Sequence, residues 1–181
     1  MLDDFRKTIA ADIKTVLPDL RECKPHAGRF DLSEIKRLSA RTPGVFISVL
    51  GIVSSEEIGT GETDLELAMA SYVLTADTRG LPRDVAAVNL VEALSLRIIG
   101  SRWGISGGVH PAGKVKANNL YSGDLDRIGI AMWGISWRQK VRLGENLWAD
   151  EGSVPTELYV GIAPEIGLEH EDDYTLVGSE A

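Results

Sequence analysis

The sequence has a single cysteine, Cys23, among its 181 residues, and no stretch approaches the roughly 20 apolar residues of a membrane-spanning helix. A single thiol excludes an intrachain disulfide and favours a reducing compartment. Asp3, Asp4 and Arg6 fall within an amphipathic pattern at the N-terminus, which is not the composition of a secretory signal. We therefore expect a protein that is made and folded in a cytoplasm, with no membrane partner.

Basic residues are missing from the C-terminal end. Ten of the 27 acidic residues and none of the 19 lysines and arginines lie within 143–181, which leaves 17 acids against 19 bases in 1–142. The net charge of −8 therefore comes from the end of the chain. Nucleic-acid binding requires a basic footprint on the domain, so specific nucleic-acid binding is not expected. The asymmetry instead indicates that the acidic end meets a basic surface.

Motifs for catalysis, metal binding or cofactor binding are also missing. Cys23 and His26 form a lone C-x-x-H without a second pair of ligands. Neither Gly59–Gly61 nor Gly104–Gly113 has the spacing of a phosphate- or dinucleotide-binding loop. Adjacent acids such as those at 172–173 point in opposite directions along an extended chain, in polar surroundings that would not raise a carboxyl pKa. We therefore expect no catalytic residue, no cofactor and no metal.

Hydrophobic periodicity predicts three helices and four strands in the order α-α-β-β-α-β-β. Leu2, Phe5, Ile9, Ile13 and Val16 recur at helical spacing before Pro18. The second helix is preceded by an aspartate cap and has a glutamate three residues after it. The predicted helices are 2–17, 32–40 and 82–98, and the predicted strands are 45–53, 64–76, 115–121 and 128–143.

This order predicts an α+β domain over 1–143, with a mixed, mostly antiparallel four-stranded sheet packed with helices. The apolar residues on both faces of 45–53 are typical of a central strand covered on two sides. The turn at 122–126 would connect the last two strands. Residues 144–181 are predicted to form an acidic C-terminal arm, either mobile in the free protein or ordered on a partner. Within this arm, 156–162 has the composition of a short strand.

Two surface features favour protein contacts. In 128–143, three basic residues alternate onto one face while Trp133, Ile135 and Trp137 alternate onto the other. This pattern fits either a solvated face over a core face or a basic ribbon that receives an acidic partner. The acidic arm fits either a solubilising tail or an arm that docks on a partner. The candidate interface residues are Arg138, Lys140, Arg142, Glu66, Tyr72, Glu169, Glu171, Asp172 and Asp173.

Gly28–Ile35 followed by Arg41–Ile47, and Val115–Gly123 followed by Ile130–Gln139, resemble segments of the tail terminator (tail completion) family of Mu-like phages and prophages. The resemblance covers residues 1–143 and leaves the acidic arm outside. It implies an α/β fold with helices on a mostly antiparallel sheet, assembled as a hexameric ring. It also implies that the family has no catalytic residues.

The resemblance further implies a set of partners and a location. A terminator ring caps the tail tube protein, ends tail polymerisation and presents a surface to the head connector or neck proteins, and in contractile tails it also touches the tail sheath protein. The expected location is the neck region of the virion tail, assembled in the host cytoplasm. The alternatives are another neck, connector or baseplate component of the virion, or a small cytoplasmic ligand-binding domain or enzyme.

Overall fold

The structure, a computed structural model, describes residues 1–28, 30–149 and 157–179. The chain divides into two units, Met1–Glu145 and Asn146–Ala181. The elements of the first unit are α1 (Leu2–Val16), β1 (Glu22–Pro25), α2 (Leu32–Ser39), β2 (Gly44–Glu57), β3 (Thr63–Ala76), α3 (Arg83–Ile98), β4 (Gly113–Asn119), α4 (Gly123–Arg127) and β5 (Ile130–Leu143). The second unit contains β6 (Glu157–Val160), a 3-10 helix (Leu168–Asp173) and β7 (Thr175–Ser179).

The first unit is built on one sheet with the strand order β1-β2-β3-β5-β4. β1 runs parallel to β2, and all the other pairs are antiparallel. This architecture confirms the predicted α+β class with a mixed, mostly antiparallel sheet. The predicted count of four strands is wrong, because β1 adds a fifth. β1 has no apolar alternation and ends at Pro25, so its pairing with Gly44–Ile47 depends on the main chain and could not be seen in the pattern.

The predicted N-terminal cap of α2 is confirmed. A similar cap begins α4, a short helix that the sequence pattern did not predict. The Asp31 side chain accepts a hydrogen bond from the backbone N–H of Glu34, as an N-cap does. The predicted turn at 122–126 contains α4 instead. Its N-cap is Ser122, whose hydroxyl accepts a hydrogen bond from the N–H of Leu125. A five-residue helix is too short to show periodicity, which is why the sequence indicated only a turn.

The main core lies on the face of the sheet that α1 and α3 cover. Phe5, Ile9 and Ile13 of α1 and Leu94 and Ile98 of α3 are buried against it. The strand residues in this core are Val45, Ile47, Leu67, Met69, Val73, Ile135, Trp137 and Val141. The hydrophobic stripes predicted for both helices are thus the surfaces that pack on the sheet.

The polar side chain of Gln139 lies within this core and is fully buried. Its Oε1 accepts hydrogen bonds from the indole N–H of Trp103 at 2.9 Å and of Trp137 at 3.1 Å. Its Nε2 donates to the carbonyl oxygens of Ser101 at 3.1 Å and His110 at 2.5 Å. The amide thereby ties the loop between α3 and β4 to β5 and fixes where β4 begins.

A smaller core covers only one end of the opposite face. Ile35 and Leu38 of α2 and Leu125 of α4 pack there with four strand residues, Phe46, Leu74, Ile130 and Met132. The loop before α2 adds Phe30, whose ring lies 4.7 Å from that of Tyr72. Among the described residues of the first unit, no helix covers the rest of this face.

β2 continues four residues beyond its predicted end at Val53, and its surroundings change along its length. Its residues from Gly44 to Ser48 are buried, whereas Ile52 and Val53 are exposed. The prediction of a strand covered on both faces is therefore wrong for its second half. The cause is tertiary, because neither β1 nor the small core reaches that far.

The second unit contains a two-stranded antiparallel ladder in which β6 pairs with β7. The 3-10 helix precedes β7, and the hydroxyl of Tyr174 accepts a hydrogen bond from the N–H of Gly167 at 2.9 Å. The strand expected at 156–162 is present as β6, although Thr156 lies outside the described residues. None of the described helices combines the length and apolar character needed to cross a bilayer.

Candidate interaction surface

The uncovered part of the sheet face opposite α1 and α3 is a charged surface, which we call the open face. Its centre is formed by Glu66, Ser136, Arg138, Lys140 and Arg142, on β3 and β5. The residues on β5 share a face because they are two residues apart along the strand. Glu66 of β3 joins them because it lies directly opposite Lys140 in the ladder. Three predicted basic residues and one predicted acidic residue are thereby brought together.

Arg142 is held by a carboxylate of its own subunit. Its Nε lies 2.8 Å from Oδ1 of Asp64 and its Nη2 lies 3.2 Å from Oδ2, a bidentate pair. Asp64 is buried, and the hydrogen bonds from Arg142 hold the pKa of its carboxyl below the usual 3.8. Part of the charge on Arg142 is therefore already neutralised within the fold.

The other charges of the open face differ in whether they have a partner. Lys140 Nζ lies 3.2 Å from Glu56 Oε2, and Lys114 Nζ lies 3.5 Å from Glu66 Oε1. Arg138 forms no ion pair or side-chain hydrogen bond with any described residue. Of the three predicted basic residues, Arg138 is therefore the one whose charge is available to a partner.

A groove of about 710 Å³ crosses the open face. Its lining combines apolar side chains from β2 with charged side chains from β3, β4 and β5. The lining includes Leu50, Val53, Glu66, Ala68, Lys114, Lys116, Ser136 and Arg138. Such a mixture of apolar floor and charged rim is typical of a surface that binds another protein.

The remaining predicted residues lie elsewhere. Tyr72 is on the same sheet face but under the smaller core, where its hydroxyl donates to the carbonyl of Gly28 at 3.3 Å. The four predicted acids of the arm, Glu169, Glu171, Asp172 and Asp173, are exposed on the 3-10 helix of the second unit. Tyr72 therefore serves the packing of its own subunit, and the four acids are accessible.

Sequence reasoning missed Asp64, Lys114 and Lys116 on this surface. The two lysines alternate on β4 as the basic residues do on β5, a signal that was available. The pairing of Asp64 with Arg142 could not be predicted, because it depends on the register of two strands 78 residues apart in the chain. No group of three or more His, Cys, Asp or Glu side chains suited to a metal ion occurs within the described ranges.

A second exposed surface runs along the outer side of α3. Its apolar residues recur at helical spacing and continue onto the flanking residues on both sides. They are Leu81, Val85, Val88, Leu96 and Ile99, each at least 40% exposed. Glu92 interrupts this strip between Val88 and Leu96, so the outer side of α3 carries both apolar and charged residues. This strip is therefore a candidate contact surface for another protein.

The open face and the outer strip of α3 are both candidate surfaces for contacts with other proteins. Residues 1–141 match the family model described as Bacteriophage Mu, Gp37. Because the match covers more than half of the chain, the chain belongs to this family, and the resemblance found in the sequence is confirmed. The protein is thus a structural virion protein of the Mu-like phage family.

The comparison with solved structures found similarity to a chain from the "Virion of native gene transfer agent (GTA) particle". The two chains are 14% identical, with a TM-score of 0.43, over 76% of this chain and 90% of the other. A comparison with curated proteins gave no match.

Proposed function

We propose that this chain is the tail terminator of a Mu-like phage. It forms a hexameric ring on the last ring of the tail tube, ends tube polymerisation and offers its far side to the head connector. The observation that carries the proposal is the family match, which spans nearly all of the first unit. In this role the protein acts by shape and charge complementarity and catalyses no reaction.

A ring requires two different surfaces on each subunit. In a closed ring one face of each copy meets another face of the next, and the rotation between neighbours closes after a fixed number of copies. The first unit offers separate candidate surfaces of different chemistry, the open face and the outer strip of α3. An apolar strip and a charged face suit different partners, such as a neighbouring copy on one side and a tube, sheath or connector protein on another.

We further propose that the acidic arm docks on the open face of a neighbouring copy. The exposed carboxylates of Glu169, Glu171, Asp172 and Asp173 supply negative charge. The receiving residue is chiefly Arg138, because Lys140 and Arg142 already have partners in their own subunit. Charge complementarity of this kind speeds and orients association more than it strengthens it.

The terminator role is tested in cells where the phage gene is inactivated and the particles are examined by electron microscopy. We expect tubes of uncontrolled length and heads without tails, both restored by the parent chain. Tails of normal length joined to heads would refute the role. A label on the chain then separates the alternatives, because a terminator lies at the neck and a baseplate protein lies at the far end.

The arm contact is tested separately in the full chain. Neutralising the four acids as E169Q, E171Q, D172N and D173N should slow ring or cap formation, most strongly at low salt. Arg138→Gln should have the same effect, and combining both changes should add little. Additive effects of the two changes would show that the arm and Arg138 act on different partners.

A further inference from the structure

The second half of β2 is a sheet edge without a partner strand. β1 pairs only with Gly44–Ile47, and the backbone N–H of His26 bonds to the carbonyl of Ile47. From Leu50 to Glu57, the backbone bonds formed with other described residues all belong to the β2–β3 ladder. We call this segment the β2 free edge. It exposes Ile52 by 56% and Val53 by 48%, and it contains no lysine and no proline. Two register shifts, at Val49/Gly51 and Ile52/Ser54, and the charges of Glu56 and Glu57 restrict which strand can pair here. Because the segment has no proline, every backbone N–H that points away from β3 can bond to such a strand.

The opposite edge of the same sheet is β4, which pairs only with β5 among the described residues. β4 carries Lys114 and Lys116 and no acidic residue. The β2 free edge carries Glu56 and Glu57 and no basic residue. The two edges of one sheet therefore have complementary charge. Pairing two identical edges would instead place like charges opposite each other, which is unfavourable.

We propose that the β2 free edge of one copy pairs with β4 of the next copy. This proposal rests on the ring proposed above. β2 and β5 run in one direction, and β3 and β4 run in the other. A neighbour in the same orientation therefore presents β4 antiparallel to β2. The contact is heterologous and repeats around the assembly, as ring closure requires. The product is a continuous sheet running through all the copies.

The register is consistent with a closed sheet. The pairings of β4 with β5, β5 with β3 and β3 with β2 show which residues of the two edge strands lie at the same height in one subunit. Gly113 lies at the height of Gly51, and Asn119 at the height of Val45. In closed sheets the strands tilt by about 35–45° to the axis. With strands about 4.8 Å apart, four strands per copy shift the neighbour by about four to six residues along the strand. β1 already pairs with Gly44–Ile47, so the neighbour's β4 cannot shift toward that end of β2. It shifts toward Glu57 instead and lies beside the β2 free edge.

This shift brings the lysines of β4 to the acidic end of β2. Lys114 and Glu56 each have an ion pair within their own subunit, to Glu66 and Lys140. Lys116 has none among the described residues, is exposed, and lies on the open face opposite Ser136. Glu56, level with Asp64, lies on the same face, whereas Glu57, level with Thr63, lies on the face that α1 and α3 cover. A shift of about four or six residues therefore brings Lys116 diagonal to or directly opposite Glu56 of the next copy.

The test exchanges these two charges. Glu56→Lys alone and Lys116→Glu alone each place like charges in every contact, and should weaken self-association about fivefold per contact, compounded around a ring. An equimolar mixture of the two variants restores opposite charges in every contact when the copies alternate, so it should assemble like the parent. The double variant E56K/K116E should also assemble.

Assembly is measured by native mass spectrometry of the purified chain, and by tail length in particles whose only copy of the chain is the variant or the mixture. Asp19→Lys and Lys36→Glu, on exposed residues away from both edges, are the matched controls and should assemble normally. The proposal fails if the single variants assemble like the parent. It also fails if the mixture assembles no more completely than either variant alone, which is the result expected when a tube protein occupies the edge. If the parent chain itself caps no tubes, the terminator role fails instead.

Discussion

Replacing Gln139 with leucine tests whether the buried amide network holds the first unit together. The amide satisfies two indole N–H groups and two backbone carbonyls. Two of these groups, the indole N–H groups of Trp103 and Trp137, are buried and would have no other partner, whereas the carbonyl of Ser101 also accepts a hydrogen bond from the N–H of Ala112 at 3.0 Å. Leucine fills a similar volume and can replace none of these hydrogen bonds.

The expected loss follows from the groups left unsatisfied. Each buried donor or acceptor without a partner costs about 1–3 kcal/mol, so two cost roughly 2–6 kcal/mol. Burial of the leucine side chain returns roughly 2 kcal/mol. We therefore expect Gln139→Leu to lower the free energy of unfolding by about 2 kcal/mol, a substantial part of the stability of a typical domain.

The measurement is urea unfolding followed by tryptophan fluorescence at 25 °C. Met69→Leu is the control, since Met69 is also fully buried and a volume-conserving apolar exchange costs less than about 1.5 kcal/mol. If Gln139→Leu cost no more than Met69→Leu, the network would be dispensable and the reasoning wrong.

Three further outcomes can be checked. Because hydrogen bonds from Arg142 lower the pKa of Asp64 below 3.8, the pair stabilises the fold above that pH and is lost as the pH falls through the folded-state pKa. In Asp64→Asn the free energy of unfolding should therefore fall less steeply as the pH is lowered than in the parent. An unchanged pH dependence would contradict the pairing. Burial raises the pKa of the Cys23 thiol to about 12, so thiol reagents at pH 8 should react with it far more slowly than with the urea-unfolded chain. Equal rates would show an accessible thiolate. Gly28 has φ +90°, and an added Cβ would lie 3.0 Å from Cδ2 of Leu50. Gly28→Ala should cost about 1–2 kcal/mol in thermal unfolding, and an unchanged melting temperature would refute this.

The long amphipathic elements could be predicted because their periodicity is local. α1 and α3 were placed almost to the residue, since an apolar stripe at 3.6-residue spacing depends only on neighbours along the chain. β5 was found by its two-residue alternation, but Gln139 was overlooked as a core residue. Its polarity hides its position, and only the approach of Trp103 and Ser101 from a distant loop makes burial of the amide favourable.

The candidate surface was predicted only in part. The alternation of Arg138, Lys140 and Arg142 onto one face follows from strand geometry and is present in the sheet. Which of these charges remains without a partner depends on side chains that other strands bring opposite them. Asp64 and Glu56 neutralise two of the three, and no pattern within β5 could indicate that.

By itself the sequence determined the α+β class, the positions of the main helices and strands, the acidic end of the chain and the family, because each depends on local periodicity, composition or motif. The tertiary structure alone decided that β1 joins the sheet and that its pairing with β2 ends at Ile47, which leaves the rest of β2 as an open edge. The physical reason is that edge pairing and burial are relations between segments far apart in the chain. A strand carries the same residues whether or not another strand lies beside it.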